Sequence, residues 1–211
     1  ALLLGKTTAC DYPVWNMPVL NRVGKTERAT PGVFSSMIPY GVDLGTQASI
    51  SELSAQIFKQ SRRDVRHMRM GPVRLRAAKV GLKSLVATGT MFNSLENSTP
   101  LQFEGLSLRR LNFYHGPIDD LGVAFFADAI SPTQRKADLL WQYDAERLNE
   151  QTVQTIADAF NHILASILRN PEQDIQSALS AIELDPSWVD QLRKAAPDGA
   201  DVAIPQTASM P

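Results

Sequence analysis

The chain has three histidines, and none of them lies in a pattern typical of a catalytic centre. His67 lies within a run of basic residues, and the helical period places His162 on the exposed side of a helix. His115 is followed by Asp119 and Asp120, and a carboxylate beside an imidazole can orient it for proton transfer. An ordinary polar turn has the same composition, so the sequence leaves His115 open between a turn residue and an oriented base.

The residue types that hold metals or phosphates are also not arranged in site-forming patterns. There is one cysteine, no His-x-x-x-His spacing and no acidic cluster of calcium-loop form. Gly5-Lys6-Thr7 lacks the upstream glycine of a phosphate-binding loop. The Asp119-Asp120 pair is better explained as an aspartate-rich turn than as a glycosidase pair. We therefore predict neither a catalytic residue nor a metal site in this chain.

The one strong charge asymmetry lies between Lys59 and Lys83, where nine Lys or Arg residues accompany a single acid, Asp64. Such a run is typical of a solvated helix face followed by a polar second helix. It is also the composition of a docking patch for an acidic partner. The candidate docking residues are Arg62, Arg63, Arg66 and Arg69.

Composition limits the remaining possibilities. The chain has 211 residues, 44% of them hydrophobic, and a net charge of −1, so it can form one large or two small domains with a real core. Nothing global favours nucleic acid or membrane partners, and no apolar run approaches the ~20 residues of a membrane span. The lone Cys10 fits a reducing, cytoplasmic interior. Ala1 to Leu4 is too short for a signal peptide and is typical of a last helical turn, so we expect a fragment of a longer polypeptide.

The first half of the chain predicts two strands and a helix. Val14 to Asn21 is extended, and the prolines before and within it predict an edge strand or a bulge. Arg22 to Gly32 is polar and predicts a loop, and Val33 to Val42 predicts a second strand. A helix then begins at Ser49 or Ser51, where Glu52 completes a capping box after Ser49.

The second half contains the strongest pattern, between Leu121 and Leu168. Leu121 to Ala127 is a continuous apolar run that predicts a strand buried on both faces. Leu139 to Tyr143 alternates like a half-buried strand, and Asn149 can cap a helix that Asn170-Pro171 ends. Other segments are weaker: strands near Met91 to Asn93 and from Leu106 to Tyr114, an apolar segment from Ile175 to Leu184, and a helix from Pro186 to Ala196 before a tail.

This order predicts an α/β fold, a two-layer sandwich in which helices cover a mixed sheet. It also resembles the C-terminal lobe of a condensation domain from a nonribosomal peptide synthetase, of the chloramphenicol-acetyltransferase-like fold. Pro18 to Arg22 resembles the family's strand that ends in arginine, and Gly32 to Leu44 resembles its G-x-F-x-N-x-x-P-x-x-x-x-L block. Phe92-Asn93, Trp141 to Asp144 and Asn170-Pro171 resemble its later strands and closing helix.

The match has departures. Ser36 stands where the family usually has asparagine, and Met68 to Leu75 does not match the block between the family's two helices. The family's catalytic His-His-x-x-x-Asp-Gly motif is not present in this chain, because it belongs to the N-terminal lobe. No residue here inherits the role of the catalytic histidine, and we expect the isolated chain to be inactive.

The resemblance implies a role in amide bond formation between carrier-bound acyl and aminoacyl thioesters, with residues 1–185 as the lobe and 186–211 as a terminal helix and tail. The lobe would supply one wall of a substrate tunnel. Ser35, Ser36, Met37 and Asn93 would lie near it, and the segment from Asn93 to Gly105 would cross to the other lobe. Implied partners are the N-terminal lobe, carrier proteins that deliver phosphopantetheine arms, and neighbouring synthetase domains. No cofactor is bound directly.

Two other functions remain open. The first is a lobe of an acyl-CoA-dependent acyltransferase of the same fold. The second is a catalytically silent, condensation-like domain that recruits partners. An intact or degraded histidine motif in the N-terminal lobe would separate the last from the others.

Overall fold

A five-stranded mixed sheet forms the centre of the chain, seen in a computed structural model that describes residues 1–45, 48–70, 89–97, 118, 120–129 and 135–182. The spatial order is β2-β1-β3-β4-β5. The inner pairs β1–β3 and β3–β4 are parallel, and the outer pairs are antiparallel. The strands are β1 Val14–Val19, β2 Ser36–Gly41, β3 Thr90–Asn97, β4 Leu121–Ala129 and β5 Arg135–Tyr143.

Five α-helices lie in the described part of the chain, and one of them continues into a 3-10 helix. The predicted α/β class with a mixed sheet is confirmed. The helices are α1 Leu2–Thr8, α2 Lys25–Ala29, α3 Ile50–Asp64 with the 3-10 helix Val65–Met70, α4 Glu150–Arg169 and α5 Ile175–Ser180. In the described residues, no helix is long and apolar enough to cross a membrane.

The edge position predicted for the first strand is wrong, because β1 lies between β2 and β3. The register between β1 and β2 shows how the prolines avoid the hydrogen bonds of this strand pair. Pro18 of β1 pairs with Met37, and Pro39 of β2 pairs with Asn16, so both prolines lie at even-numbered positions of β1 or opposite one. The Val42 N–H bonds to the Pro13 carbonyl, which makes the odd-numbered positions of β1 the hydrogen-bonded ones. Neither proline is therefore asked to donate into the β1–β2 ladder.

Two further boundaries differ from the sequence expectation. The segment Arg22 to Gly32 is not only loop, because it contains the short helix α2. The second strand begins at Ser36 rather than Val33, so Ser35 precedes it. Glu27 stabilises α2 by accepting hydrogen bonds from the Val23 and Gly24 amides, both at 2.8 Å. Those bonds satisfy amides that have no helical partner. The polar composition of the segment predicted a loop and gave no sign of these bonds.

Helix α3 begins where the capping box predicts. The Ser49 hydroxyl accepts from the Glu52 amide at 3.2 Å, and the Glu52 carboxylate accepts from the Ser49 amide at 3.3 Å. The buried Tyr40 hydroxyl donates to the Ile57 carbonyl at 2.7 Å and so connects β2 to this helix. A direct bond of this kind fixes the helix against the sheet at one register.

The stretch from β4 to α4 also follows the prediction. Leu121 to Ala124 is buried, as predicted, whereas Phe125 to Ala127 is only half-buried, so burial on both faces holds for the first part of this run. The Asn149 side chain accepts from the Thr152 amide at 2.8 Å and caps α4, and the helix ends at Arg169, just before Asn170-Pro171. His162 on this helix is exposed, as expected.

All of the hydrophobic clusters of the described residues lie on one face of the sheet. One joins Trp15 and Tyr40 to α1, α3 and α5, and a second joins Leu121 to Leu148 and α4. A third packs Met68 on Val19 and Ile38. Trp141 meets Phe160 of α4 edge to face, with ring centroids 5.6 Å apart. The helices therefore form one layer, and we call this side the covered face.

Several predictions fall outside the described residues. These are the polar second helix after Gly71, the strand from Leu106 to Tyr114, the turn at His115 and Asp119, the rest of the excursion to Gly105, the boundary at residue 185, and the helix and tail beyond it.

Candidate functional site

The opposite side of the sheet, here called the open face, consists of the alternate side chains that point away from the helices. Because partners in register share a face, the strand pairing identifies them. In the described residues, no helix packs on these side chains, and most of them are half-exposed. They are Val14, Asn16, Pro18, Met37, Pro39, Met91, Asn93, Leu95, Ala124, Phe126, Lys136, Asp138, Leu140 and Gln142.

Two of the predicted tunnel residues lie on this face in one row. Met37 pairs with Pro18, and Asn93 pairs with Ala124, which in turn pairs with Leu140. Continuing the parallel register from Asn16–Met91 places Pro18 level with Asn93. Met37 and Asn93 are therefore on the same surface, two strands apart, and both are half-exposed.

The other two predicted tunnel residues lie elsewhere. Ser36 pairs with the buried Val19, so its side chain alternates to the covered face. Ser35 precedes β2 and is exposed. The structure thus brings together Met37 and Asn93 and separates both serines from them.

Gly122 lies at the centre of the open face, close to two apolar side chains. A Cβ added to Gly122 would lie 2.9 Å from Cδ1 of Ile118 and 3.2 Å from Cε of Met91. Both atoms belong to flexible side chains, so the face is closely packed there but not rigid. An apolar surface with Asn16, Asn93 and Gln142 as its carboxamides can bind an acyl or peptide group and orient its polar atoms. Among the residues that the structure describes, none places an imidazole or a carboxylate at the centre of this face to act as a general base.

The four predicted docking arginines lie along α3 and the 3-10 helix, and all four are exposed. Arg62 and Arg66 are four residues apart, and Arg69 follows after three, so these three share one side of the helix. The sequence analysis did not identify the apolar member of this surface, Phe58, which is 64% exposed and lies 5.7 Å from the Arg62 guanidinium.

The arginines are not equivalent. Arg63 Nε lies 3.4 Å from Oδ1 of its neighbour Asp64. Arg69 donates to Oε1 of Glu27 at 2.6 Å, and this bond joins the 3-10 helix to the connection between β1 and β2. Hydrogen bonds from the Gly24 and Val23 amides, followed by the Arg69 charge, hold the pKa of Glu27 below its usual value.

A second ionic site was missed by the sequence analysis. Asp120, at the start of β4, is buried and forms an ion pair with Arg147 in the turn before α4. A Cβ at Gly89 would lie 1.4 Å from Oδ2 of Asp120, so only glycine fits beside this carboxylate. The prediction of a plain aspartate-rich turn did not include this contact. Asp120 and Arg147 are distant in sequence. An acidic residue just before an apolar strand was the one feature of the sequence that could have indicated this ion pair.

No group of three or more His, Cys, Asp or Glu side chains that could hold a metal ion is present in the described residues. Cys10 is free. His67 and His162 are both exposed and isolated from each other. These side chains therefore do not form a reaction centre.

Known proteins show which sequences and folds resemble this chain. No family model matches it. A curated protein, a dimodular nonribosomal peptide synthase of Bacillus subtilis (strain 168), is 26% identical over 127 residues. That region is 58% of this chain but 5% of the curated protein.

Solved structures of condensation domains have the same fold. The starter condensation domain of rhizomide synthetase RzmA, as a mutant in complex with C8-CoA, has a TM-score of 0.71 at 21% identity, covering 83% of this chain and 40% of that chain. The first condensation domain of the CDA synthetase has a TM-score of 0.68 at 20% identity, with coverages of 83% and 39%.

The chain thus spans a small part of the curated relative and less than half of the solved domains it matches. The resemblance found in the sequence is confirmed by both kinds of comparison. This chain has the chloramphenicol-acetyltransferase-like α/β fold of nonribosomal peptide synthetase condensation domains, and it is similar to part of such a domain.

Proposed function

We propose that the chain is the C-terminal lobe of a nonribosomal peptide synthetase condensation domain and forms one wall of its substrate tunnel. The observation that supports this most strongly is the open face. A sheet covered by helices on one side normally requires a second layer on the other when that side is apolar. The solved domains are more than twice as long as the part that this chain matches, so they contain the material for such a layer.

In this proposal the reaction takes place between the two lobes. The amine of an acceptor substrate attacks the carbonyl carbon of a donor thioester. The new C–N bond forms, the C–S bond breaks, and the thiol of the phosphopantetheine arm leaves. The amine loses a proton, which the histidine of the N-terminal lobe's His-His-x-x-x-Asp-Gly motif takes or orients.

The contribution of this lobe is positioning. Holding two reactants in line can lower a barrier by about 7–11 kcal/mol at best, without any acid or base from this side. Met37 would contact the acyl chain, and the Asn93 carboxamide can donate to or accept from its polar groups. Ser35 and Ser36 would lie beside the wall rather than in it.

The proposed docking surface for carrier proteins consists of Phe58, Arg62, Arg63, Arg66 and Arg69. An exposed aromatic ring surrounded by arginines provides both an apolar anchor and charge, the combination that tends to dominate protein interfaces. Carrier proteins of this family are commonly acidic, so the charges are complementary. The carrier brings the phosphopantetheine arm as substrate, and this lobe binds no cofactor of its own.

Charge reversal tests the docking surface. Replacing Arg62, Arg63 and Arg66 by Glu should weaken binding of a carrier protein and flatten the dependence of affinity on salt. The matched control is Arg169→Glu, since Arg169 is exposed on α4 and lies outside this surface. Equal affinities for both proteins at low salt would contradict the docking proposal.

Association with an N-terminal lobe tests the function itself. Leu140→Glu, on the open face, should abolish binding of a separately produced N-terminal lobe. Leu168→Glu should leave it unchanged, because Leu168 is 75% exposed on the far side of α4. Circular dichroism checks that both variants fold. Binding that tolerates Leu140→Glu as well as Leu168→Glu would contradict the assignment of the open face.

One observation favours a second candidate, a lobe of an acyl-CoA-dependent acyltransferase. The matched rhizomide starter domain was solved in complex with C8-CoA. A mutant domain of this fold therefore binds an acyl-CoA, and assays with coenzyme A and carrier-bound donors distinguish the two candidates. Under either function we place the chain in the cytoplasm, beside other synthetase or transferase domains.

A further inference from the structure

The connection between β1 and β2, residues 20–35, is held by two side chains. Arg22 donates to three of its carbonyls, those of Glu27, of Thr30 at 2.6 Å and of Gly32 at 2.5 Å. Its guanidinium also lies 4.3 Å from the centre of the Phe34 ring. Arg22 therefore closes the connection from within, by satisfying carbonyls near the end of α2.

Glu27 holds the connection from the other side and joins it to the 3-10 helix. One carboxylate oxygen accepts from the Val23 and Gly24 amides, and the other accepts from Arg69. In the described residues, Arg69 is the one side chain from outside the connection that hydrogen-bonds to it. One ion pair thus ties the connection itself to the 3-10 helix, beside the packing of Met68 on Val19 and Ile38 of the flanking strands.

This ion pair is accessible and weak. The side chains of Arg69 and Glu27 are 62% and 29% exposed. An exposed pair is screened by water and salt and contributes little to stability. A cluster of carboxylates brought close to Arg69 by other contacts can therefore displace Glu27 at small cost.

The docking arginines provide those other contacts. Arg62 and Arg66 are on the same side of the helix as Arg69, within one and two turns of it. An acidic surface seated on Arg62 and Arg66 brings its own carboxylates within reach of Arg69.

We propose that Arg69 is a shared arginine: an acidic partner that docks on Arg62 and Arg66 takes Arg69 from Glu27 and releases the β1–β2 connection. This rests on the docking surface proposed above. Docking would thereby be coupled to the segment that leads directly into Ser36 and Met37 on β2.

Hydrogen exchange of the full chain tests this coupling without a partner. Arg69→Gln should speed exchange at the Val23 and Gly24 amides by about two- to fivefold, the size expected for loss of one surface ion pair. Arg63→Gln is the control, because Arg63 pairs with Asp64 and not with the connection. Unchanged exchange in Arg69→Gln, or an equal increase in Arg63→Gln, overturns the inference.

The second experiment adds a ten-residue poly-glutamate peptide as the acidic probe. Its binding, followed by fluorescence anisotropy, should speed exchange at Val23 and Gly24 in the original chain and add nothing in Arg69→Gln. If the peptide binds in a salt-dependent manner without changing exchange, the coupling is wrong and the docking surface stands. If it does not bind, both proposals fail.

Discussion

Two adjacent residues of β2 should respond in opposite ways to the same substitution. Ile38 is 7% exposed on the covered face, where it packs with Val19 and Met68. Met37 points to the open face and is half-exposed. Ile38→Asp places a carboxylate between the sheet and the helices. Met37→Asp places it on the open face, which no helix covers in the described residues.

The magnitudes follow from burial. Loss of a buried isoleucine costs about 1.5–3 kcal/mol, and a carboxylate without a partner in its place adds more, so Ile38→Asp should cost about 4 kcal/mol. Met37→Asp should cost about 0.5–1 kcal/mol, because much of the side chain already contacts water. With a urea m-value of about 2 kcal/mol per M, the midpoints of the two variants should differ by about 1.5 M.

Urea unfolding followed by far-UV circular dichroism measures this difference on the 211-residue chain. Repeating the measurement after an N-terminal lobe has bound should raise the cost of Met37→Asp, because the second lobe then buries that position. If Met37→Asp and Ile38→Asp shift the midpoint equally in the chain alone, the open face is already covered. The assignment of the sheet's two faces would then be wrong.

Three further predictions concern local interactions. Ser49→Ala should lower the free energy of unfolding by about 1 kcal/mol, measured by urea unfolding, through loss of the cap on α3; a change below a few tenths would contradict the cap. Gly89→Ala should destabilise strongly, since its Cβ would overlap the Asp120 carboxylate, and in an Asp120→Ala background the added cost should shrink. Because the folded-state pKa of Glu27 lies below its unfolded value, its contribution is complete above about pH 4.3 and disappears as pH falls through the lower folded pKa. The acid-induced loss of stability should therefore be smaller in Glu27→Gln, and identical pH profiles would contradict it.

The elements that could be predicted from the sequence were those encoded by local patterns. The apolar run of β4, the alternation of β5 and the capped stripe of α4 depend on neighbours within a few residues. The Ser49–Glu52 capping box is of the same kind. β4 and α4 appeared close to their expected bounds and α3 began at its predicted cap, whereas β5 begins four residues before the predicted Leu139, at Arg135.

The features that could not be predicted depend on contacts distant in sequence. The prolines around β1 indicated an edge, but the strand lies inside the sheet, between β2 and β3. Helix α2 depends on Glu27, whose bond to Arg69 spans 42 residues. The Asp120–Arg147 ion pair likewise joins residues distant in sequence, the start of β4 and the turn that follows β5.

The candidate site shows the same division. The block from Gly32 to Leu44 contains β2, and Met37 and Asn93 share the open face, while their role in a tunnel stays a prediction. The face to which each side chain points can be assigned only when the strand register is known. For that reason Ser36 was grouped with Met37, although Ser36 points to the covered face. Phe58 in the docking surface was also missed, because a helical phenylalanine is ordinarily assigned to the core.

The measurement that tests the account most directly is amide formation between two carrier-bound thioesters. It is made with the chain alone and with the chain joined in one reading frame to an N-terminal lobe that has the His-His-x-x-x-Asp-Gly motif. The account predicts no product above the uncatalysed rate from the chain alone and product from the joined lobes. Product formed by the 211 residues alone would contradict it.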